Sequence, residues 1–169
     1  SYQYVPNPTG WVDPLGLSCF PGDCPEEPGT PEKDIRKFSS TKYKPEEVLG
    51  RKVYKNSVDV EPGIPSTIDK SVDPRIRKKI EEDGWSNLDL MKNGNAPIGP
   101  DGKYINLHHV TGDEPGPMVE LTGTVHKKYH RELHGTIEDG DSFRNDPKLE
   151  LQYAKFRKAY WKERAKDFE

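Results

Sequence analysis

The chain has few residues from which to build a large hydrophobic core. Only 31% of its 169 residues are hydrophobic and 33% are charged, while 15 glycines and 16 prolines favour turns over long regular elements. No apolar run approaches the roughly 18 residues that a membrane-spanning helix needs, so we expect neither a membrane span nor a signal peptide. The chain begins with Ser rather than Met, and we expect a fragment or processed product of a longer protein.

Cysteine is also scarce. Cys19 and Cys24 lie in a Pro/Gly-rich stretch with no histidine nearby, which excludes a Cys/His zinc site there. They could close a small disulfide loop, but two cysteines make no disulfide framework, so incidental linker thiols are the simpler interpretation.

Neither sign of charge dominates the chain. The net charge of −3 divides into −5 over residues 1–34 and +2 over the remainder. This balance implies no strong non-specific affinity for nucleic acid, although an enzyme needs only a local basic groove.

Composition divides the chain into three segments. Residues 1–17 are aromatic and rich in turn residues, and residues 18–36 have the Pro/Gly-rich composition of a flexible linker. We therefore expect the ordered domain at residues 37–169.

Capping and turn signals predict the elements of that domain. The predictions are a strand over 51–55, a helix from the Asp73 cap to Gly84, a short helix behind a Ser86/Asp89 capping box and ended by Gly94, strands near 104–110 and 118–121, a helix from Thr122 or Thr124 through His134, and a last helix from Asp146 with an apolar stripe of Leu149, Tyr153, Phe156 and Tyr160.

All five histidines fall within one short region. His108 and His109 end a predicted strand, and His126, His130 and His134 recur at the four-residue steps that share one helix face. Imidazoles are good metal ligands, and adjacent strand residues point to opposite faces. One histidine of the pair can then face a metal ion while the other activates water, and this combination hydrolyses phosphodiesters.

Each histidine pattern has an ordinary structural explanation. A strand pair is usually structural and a helical row is often surface decoration, but the two together, with no other histidine in the chain, favour function. A purely structural zinc site is less favoured, because closed sites usually use thiolates and no cysteine is near.

The segments 95–109, 116–122 and 156–165, with the histidine helix, resemble the LHH toxin nucleases of the HNH/endonuclease VII (ββα-metal) superfamily. The resemblance covers residues 84–166. It implies an α+β fold, in which a short β-hairpin and a helix form a ββα-metal, HNH-like core around one divalent ion (Mg, Mn, Zn or Ni), with additional flanking helices.

The resemblance also implies roles for the histidines. By position, His109 is the general base, and His108 is the strand-borne metal ligand beside the reacting atoms. His126 is the helix ligand, with His130 one turn further as another. His134 is a third helix ligand, a phosphate contact or a surface residue.

The chain departs from the family pattern at one point. Pro117 stands where many HNH enzymes have an Asn that orients the base, so another group, such as a backbone carbonyl, must hold His109. Glu120 is a candidate ligand or orienting group, although a solvated surface acid is the simpler interpretation. The candidate phosphate contacts, for which a solvated face is an equal alternative, are Lys127, Lys128, Arg131, Arg157 and Lys158.

Residues 7–17 resemble the end of an Rhs repeat core. In that family this motif closes a β-cocoon shell, and aspartyl self-cleavage releases the C-terminal toxin. The resemblance implies that Asp13 is one catalytic Asp and that the cut falls between Leu17 and Ser18. The shell itself would lie upstream in the same polypeptide.

Together these features predict a secreted nuclease toxin that cuts DNA in a competitor's cytoplasm. Type VI secretion components would deliver it, and a cognate immunity protein would protect the producer. An RNase toxin on the same site and a non-catalytic zinc-binding module remain alternatives.

Overall fold

A computed structural model describes residues 42–110, 112–128 and 142–169. The fold is α+β, as predicted, and it is consistent with an HNH-like core with flanking helices. Residues 1–17, the linker and the predicted domain start near residue 37 lie outside the described residues. The elements are β1 (Tyr43–Val48), β2 (Arg51–Asn56), α1 (Pro74–Asp83), α2 (Asn87–Lys92), β3 (Asn106–His109), β4 (Met118–Leu121), α3 (Gly123–Lys128) and α4 (Pro147–Ala165), with 3₁₀ turns at Phe143–Asn145 and Lys166–Phe168.

The strands lie in the order β1-β2-β4-β3. The predicted hairpin is present, since β3 and β4 are antiparallel with His108 opposite Val119 and His109 opposite Met118. β2 extends this hairpin by running parallel to β4, with Val53 opposite Met118. β1 pairs antiparallel with β2. The histidine hairpin is therefore anchored on one side by a strand from early in the domain.

β1 was not predicted from the sequence. Pro45 and two glutamates interrupt any apolar alternation in this strand. These residues suit an edge strand, where a missing backbone donor and solvated charges are tolerated. β1 forms because β2 offers a full antiparallel partner six residues long.

The predicted helix starts are confirmed at their caps. The Asp73 side chain accepts from the Arg75 backbone N–H, and Gly84 ends α1 in the left-handed region at φ 68°. Ser86 and Asp89 form a complete reciprocal capping box at α2. Asp146 caps α4, which begins at Pro147. Within the described residues, no helix is long and apolar enough to span a membrane.

α4 supplies the aromatic half of the main core. Tyr153, Phe156 and Tyr160 are buried as the predicted stripe requires, and Trp161 joins them, whereas Leu149 is only half-buried. These rings pack in one cluster with Val53 of β2 and residues of β3 and β4. Burying side chains of this size contributes about 1.5–3 kcal/mol each, so α4 holds the hairpin firmly in place.

Glu120 lies inside this core, and the expectation of a solvated surface acid was wrong. Its carboxylate accepts from the Asn56 backbone N–H at 2.6 Å, from the Tyr160 hydroxyl at 2.6 Å and from Arg164 Nε at 2.9 Å. A buried carboxylate needs several hydrogen-bond donors of this kind to offset the loss of its hydration. Because all three partners lie in β2 and α4, Glu120 ties the strands to the helix and is not available to a metal ion.

Candidate active site

A cleft of about 890 Å³ opens beside the C-terminal end of β3. Its lining includes His108, His109 and His126, so the structure brings together three of the five predicted site histidines. His130 and His134 lie outside the described residues, as do Arg131 and the proposed cleavage residues Asp13, Leu17 and Ser18.

The side chains of His108, on β3, and His126, on α3, contact each other. Their ring centroids are 5.1 Å apart and the rings are inclined at 66°. Two contacts set the start of α3 and hence the position of His126: the Thr122 hydroxyl accepts from the Val125 N–H at 3.3 Å, and Asp101 accepts from the Thr124 N–H at 2.8 Å. Thr122 is therefore the N-cap, one of the two candidates that the sequence offered.

The His108/His126 pair fits two ligands of one metal ion. Two imidazoles bound at about 2.1 Å to a single ion hold their centroids roughly 4.6–5.3 Å apart, which includes the observed separation. Within residues 42–110, 112–128 and 142–169, no group of three or more His, Cys, Asp or Glu side chains could hold a metal ion. The described candidate ligands are thus two imidazole rings, a donor type that suits transition metals.

His109 points away from its neighbour, as alternation in a strand predicts. Its Nε2 lies 2.5 Å from a carboxylate oxygen of Glu114. The ring contacts Phe143 and Tyr153 at centroid distances of 4.5 and 4.7 Å. Two aromatic walls and one charged hydrogen bond therefore fix its orientation.

Glu114 is the centre of a buried polar cluster. Its side chain has no exposed surface and accepts two hydrogen bonds from the Arg51 guanidinium, at 2.9 and 2.6 Å. Gln152 Nε2 of α4 donates a further one at 3.1 Å. A bidentate Arg–carboxylate pair is among the stronger polar interactions, so Glu114 is held rigidly against His109.

The electrostatics favour a neutral His109 beside an ionised Glu114. Burial lowers the pKa of His109, and this outweighs the neighbouring carboxylate, which raises it. Burial alone would raise the pKa of Glu114, but hydrogen bonds from Arg51 and His109 prevail and lower it. The imidazole thus donates its Nε2 proton to the carboxylate, which leaves Nδ1 as the unprotonated nitrogen.

The group that holds His109 is therefore a carboxylate and not the backbone carbonyl suggested by the sequence. The Pro117 carbonyl, at the position of the usual Asn, accepts instead from the Val110 N–H at 2.8 Å and extends the hairpin. Glu114 was not predicted from the sequence, although it is an acid in the hairpin loop only five residues beyond His109.

The predicted phosphate contacts have different surroundings. Arg157 lines the cleft, and its guanidinium lies 5.5 Å from the centroid of Tyr153. Lys127 and Lys128 are exposed at the end of the described part of α3. Lys158 does not line the cleft and packs against Gly94 instead. A Cβ added at Gly94 would lie 2.6 Å from the Lys158 Cγ.

Three further cations line the cleft and were not predicted: Arg144, Arg75 and Lys79. Tyr153 was predicted only as a core residue, but its hydroxyl donates to the Leu107 carbonyl at 2.6 Å. This bond holds β3 at the residue that immediately precedes the histidine pair.

Residues 86–167 match the family model LHH, described as a nuclease of the HNH/ENDO VII superfamily with conserved LHH. The LHH tripeptide of this chain is Leu107-His108-His109. The match supports the predicted enzyme class, an endonuclease that hydrolyses phosphodiester bonds. It includes the hairpin and α2 to α4, but not β1, β2 or α1. No solved structure matched the chain.

Proposed function

We propose that this LHH endonuclease is a metal-dependent DNase toxin, with His109 as its general base. The observation that carries the proposal is the buried His109–Glu114 pair beside the converging His108 and His126 rings in one cleft. Neutral base and candidate metal ligands are thus adjacent, as one-metal phosphodiester hydrolysis requires.

His109 performs the proton transfer in this mechanism. With Nε2–H donated to Glu114, Nδ1 takes a proton from the attacking water. The imidazolium that results is stabilised by the adjacent carboxylate, which Arg51 keeps ionised and in position. Glu114 is therefore a positioning residue and Arg51 supports it from β2.

His108 and His126 would hold the divalent ion, together with His130 if the helix continues as the sequence predicts. When bound, the ion supplies positive charge to the phosphate oxygens and the leaving group. Arg157 and Arg144 line the same cleft and would contact the flanking phosphates. Lys127 and Lys128 of α3 remain proposed contacts, as do His134 and Arg131, which lie outside the described residues. Lys158, packed on Gly94, is the weaker candidate.

The delivery of the nuclease follows from the resemblance of residues 7–17 to the end of an Rhs core. In this proposal, an upstream shell encloses the toxin, cleavage between Leu17 and Ser18 releases it, and Asp13 is one catalytic carboxylate. Type VI secretion would carry it into a competitor's cytoplasm, and an immunity protein would protect the producer. A polypeptide extended upstream by the shell tests the cleavage: mass spectrometry should find a new N-terminus at Ser18, and an Asp13→Asn variant should stay intact.

Digestion across a metal series tests the nuclease. Supercoiled plasmid should be nicked after addition of Mg²⁺, Mn²⁺, Zn²⁺ or Ni²⁺, and a folded His109→Ala protein should lose this activity. Glu163→Gln, a change at a half-exposed position on α4, is the matched control and should cut normally. Intact plasmid with fragmented transfer or ribosomal RNA would favour the RNase. Survival of both nucleic acids with tight, stoichiometric zinc would favour the binding module.

A further inference from the structure

The cleft has a second basic surface that lies outside the LHH match. Arg75 and Lys79 of α1 line the cleft together with Ile76, whereas Arg144 and Arg157 come from the C-terminal part of the chain. Arg75 and Lys79 are four residues apart, so they share one face of α1 at about 6 Å along its axis. We call this pair the α1 cation pair.

The cleft is positive although the chain is not. Four cations line it, and Asp73 is the one carboxylate among the lining residues that the structure describes, whereas the whole chain has a net charge of −3. Positive charge concentrated in a concave surface raises the local concentration of a polyanion. The candidate ligand is therefore a nucleic-acid backbone.

Local contacts hold both members of the α1 cation pair. Lys79 Nζ lies 4.1 Å from the centroid of the Trp85 ring. Such a cation–π contact orients an ammonium group without neutralising it. The Arg75 guanidinium lies 3.0 Å from Asp73, but its side chain is 88% exposed. An exposed ion pair of this kind is weak, so Arg75 can exchange Asp73 for a phosphate at little cost.

We propose that Arg75 and Lys79 form a phosphate-binding subsite, which holds the nucleic-acid backbone away from the bond being cut. The inference rests on the proposed function, since it assumes that the cleft takes nucleic acid. In this proposal, α1, which lies outside residues 86–167, extends the nucleic-acid-binding surface of the cleft beyond the histidines. The subsite is independent of sequence, because phosphate contacts position the strand and do not read bases.

Binding measured without cleavage tests the subsite. Fluorescence anisotropy of a labelled DNA duplex and of a labelled single-stranded RNA is followed across a salt series. The protein is the 169-residue chain with His109→Ala, so that the probes stay intact. The test variant adds Arg75→Gln and Lys79→Gln. The matched control adds Lys70→Gln and Lys78→Gln, which remove the same charge from exposed positions that do not line the cleft.

Each lost phosphate contact lowers the slope of log K against log salt by about 0.9 on duplex DNA. The test variant should therefore lose nearly 2 from the slope and bind more weakly, whereas the control keeps both. Equal slopes for test and control variants, or no binding of either probe by the His109→Ala protein, would overturn the subsite. If the chain with His109 intact cuts neither nucleic acid while the slopes differ as expected, the subsite stands and the proposed nuclease mechanism fails.

Discussion

The carboxylate of Glu114 accepts a 2.5 Å hydrogen bond from Nε2 of His109, and both side chains are buried. This relationship decides which ring nitrogen carries the proton. It also makes the orientation of the His109 ring depend on Arg51, which donates two hydrogen bonds to Glu114 from the start of β2.

Glu114→Gln should lower kcat about 10- to 100-fold with little change in KM, because the amide can still accept from Nε2 but no longer stabilises the imidazolium. Steady-state cleavage of a fluorogenic oligonucleotide measures both constants. Glu150→Gln, at an exposed position near the start of α4, is the control. A merely structural role for Glu114 would leave kcat of the folded variant unchanged.

Glu114→Ala should destabilise the fold by about 3–5 kcal/mol at pH 7, since it leaves the largely buried Arg51 guanidinium without its carboxylate. The pKa of Glu114 is lowered in the folded state, so its stabilisation is present above the pKa of the unfolded chain, about 4.3, and is lost as the pH falls through the lower folded value. Urea unfolding at several pH values should show the gap between the two proteins narrowing below pH 4. A gap that widens on acidification would contradict the assignment.

Glu120→Ala should also cost about 3–5 kcal/mol, because Arg164 is buried and loses its main partner. The metal affinity of the folded variant should be unchanged, whereas it would fall if Glu120 were a metal ligand. Urea unfolding and metal titration calorimetry measure the two properties. Glu163→Ala, which removes an exposed partner of Lys166, should change stability by less than about 1 kcal/mol.

His126→Ala should weaken metal binding by more than the roughly 10- to 100-fold that second-shell changes cost, since it removes one of two converging imidazoles. Titration calorimetry with Zn²⁺ or Ni²⁺ gives the affinity. Lys127→Ala, at the next residue of α3, should bind metal normally. Equal affinities for the two variants would rule out the His108/His126 pair as a metal site.

Tyr153→Phe should destabilise the fold by about 1 kcal/mol, because the buried Leu107 carbonyl loses its 2.6 Å hydrogen bond. Cleavage should fall as well, since this bond and the aromatic ring fix β3 and His109 from the same side. Unfolding in urea and plasmid nicking test the two effects. Unaltered cleavage would show that the hydroxyl does not contribute to placing the base.

Local signals made much of the fold predictable. Asp73, Ser86 and Asp146 each satisfy the first N–H groups of a helix through side chains within three residues, so the helix starts could be identified from short windows. The hairpin was equally easy to predict from the sequence, because its apolar residues and its histidine pair lie in two short strands. Alternation along β3 predicted that His108 and His109 face opposite sides of the strand, whereas their separate roles were implied by the family resemblance and stay predictions.

The supporting groups could not be identified from the sequence because their partners are far away along the chain. Arg51 and Glu114 are 63 residues apart, and Glu120 and Arg164 are 44 apart. Nothing local distinguishes these charges from solvated ones, since burial depends on how β2 and α4 close over the hairpin. The α1 cations were missed for the same reason: only the fold brings Arg75 and Lys79 to the cleft that contains His109.

The parallel pairing of β2 with β4 limits how short a fragment of this chain can be while Glu114 keeps its partner Arg51. A fragment that begins at residue 86 would contain the hairpin, α3 and α4, yet Glu114 would lack the guanidinium that neutralises it. Such a fragment would contain all five histidines, and we expect it to hold the His109 ring less firmly. A fragment that keeps Arg51 beside Glu114 must therefore include β2 and begin upstream of Arg51.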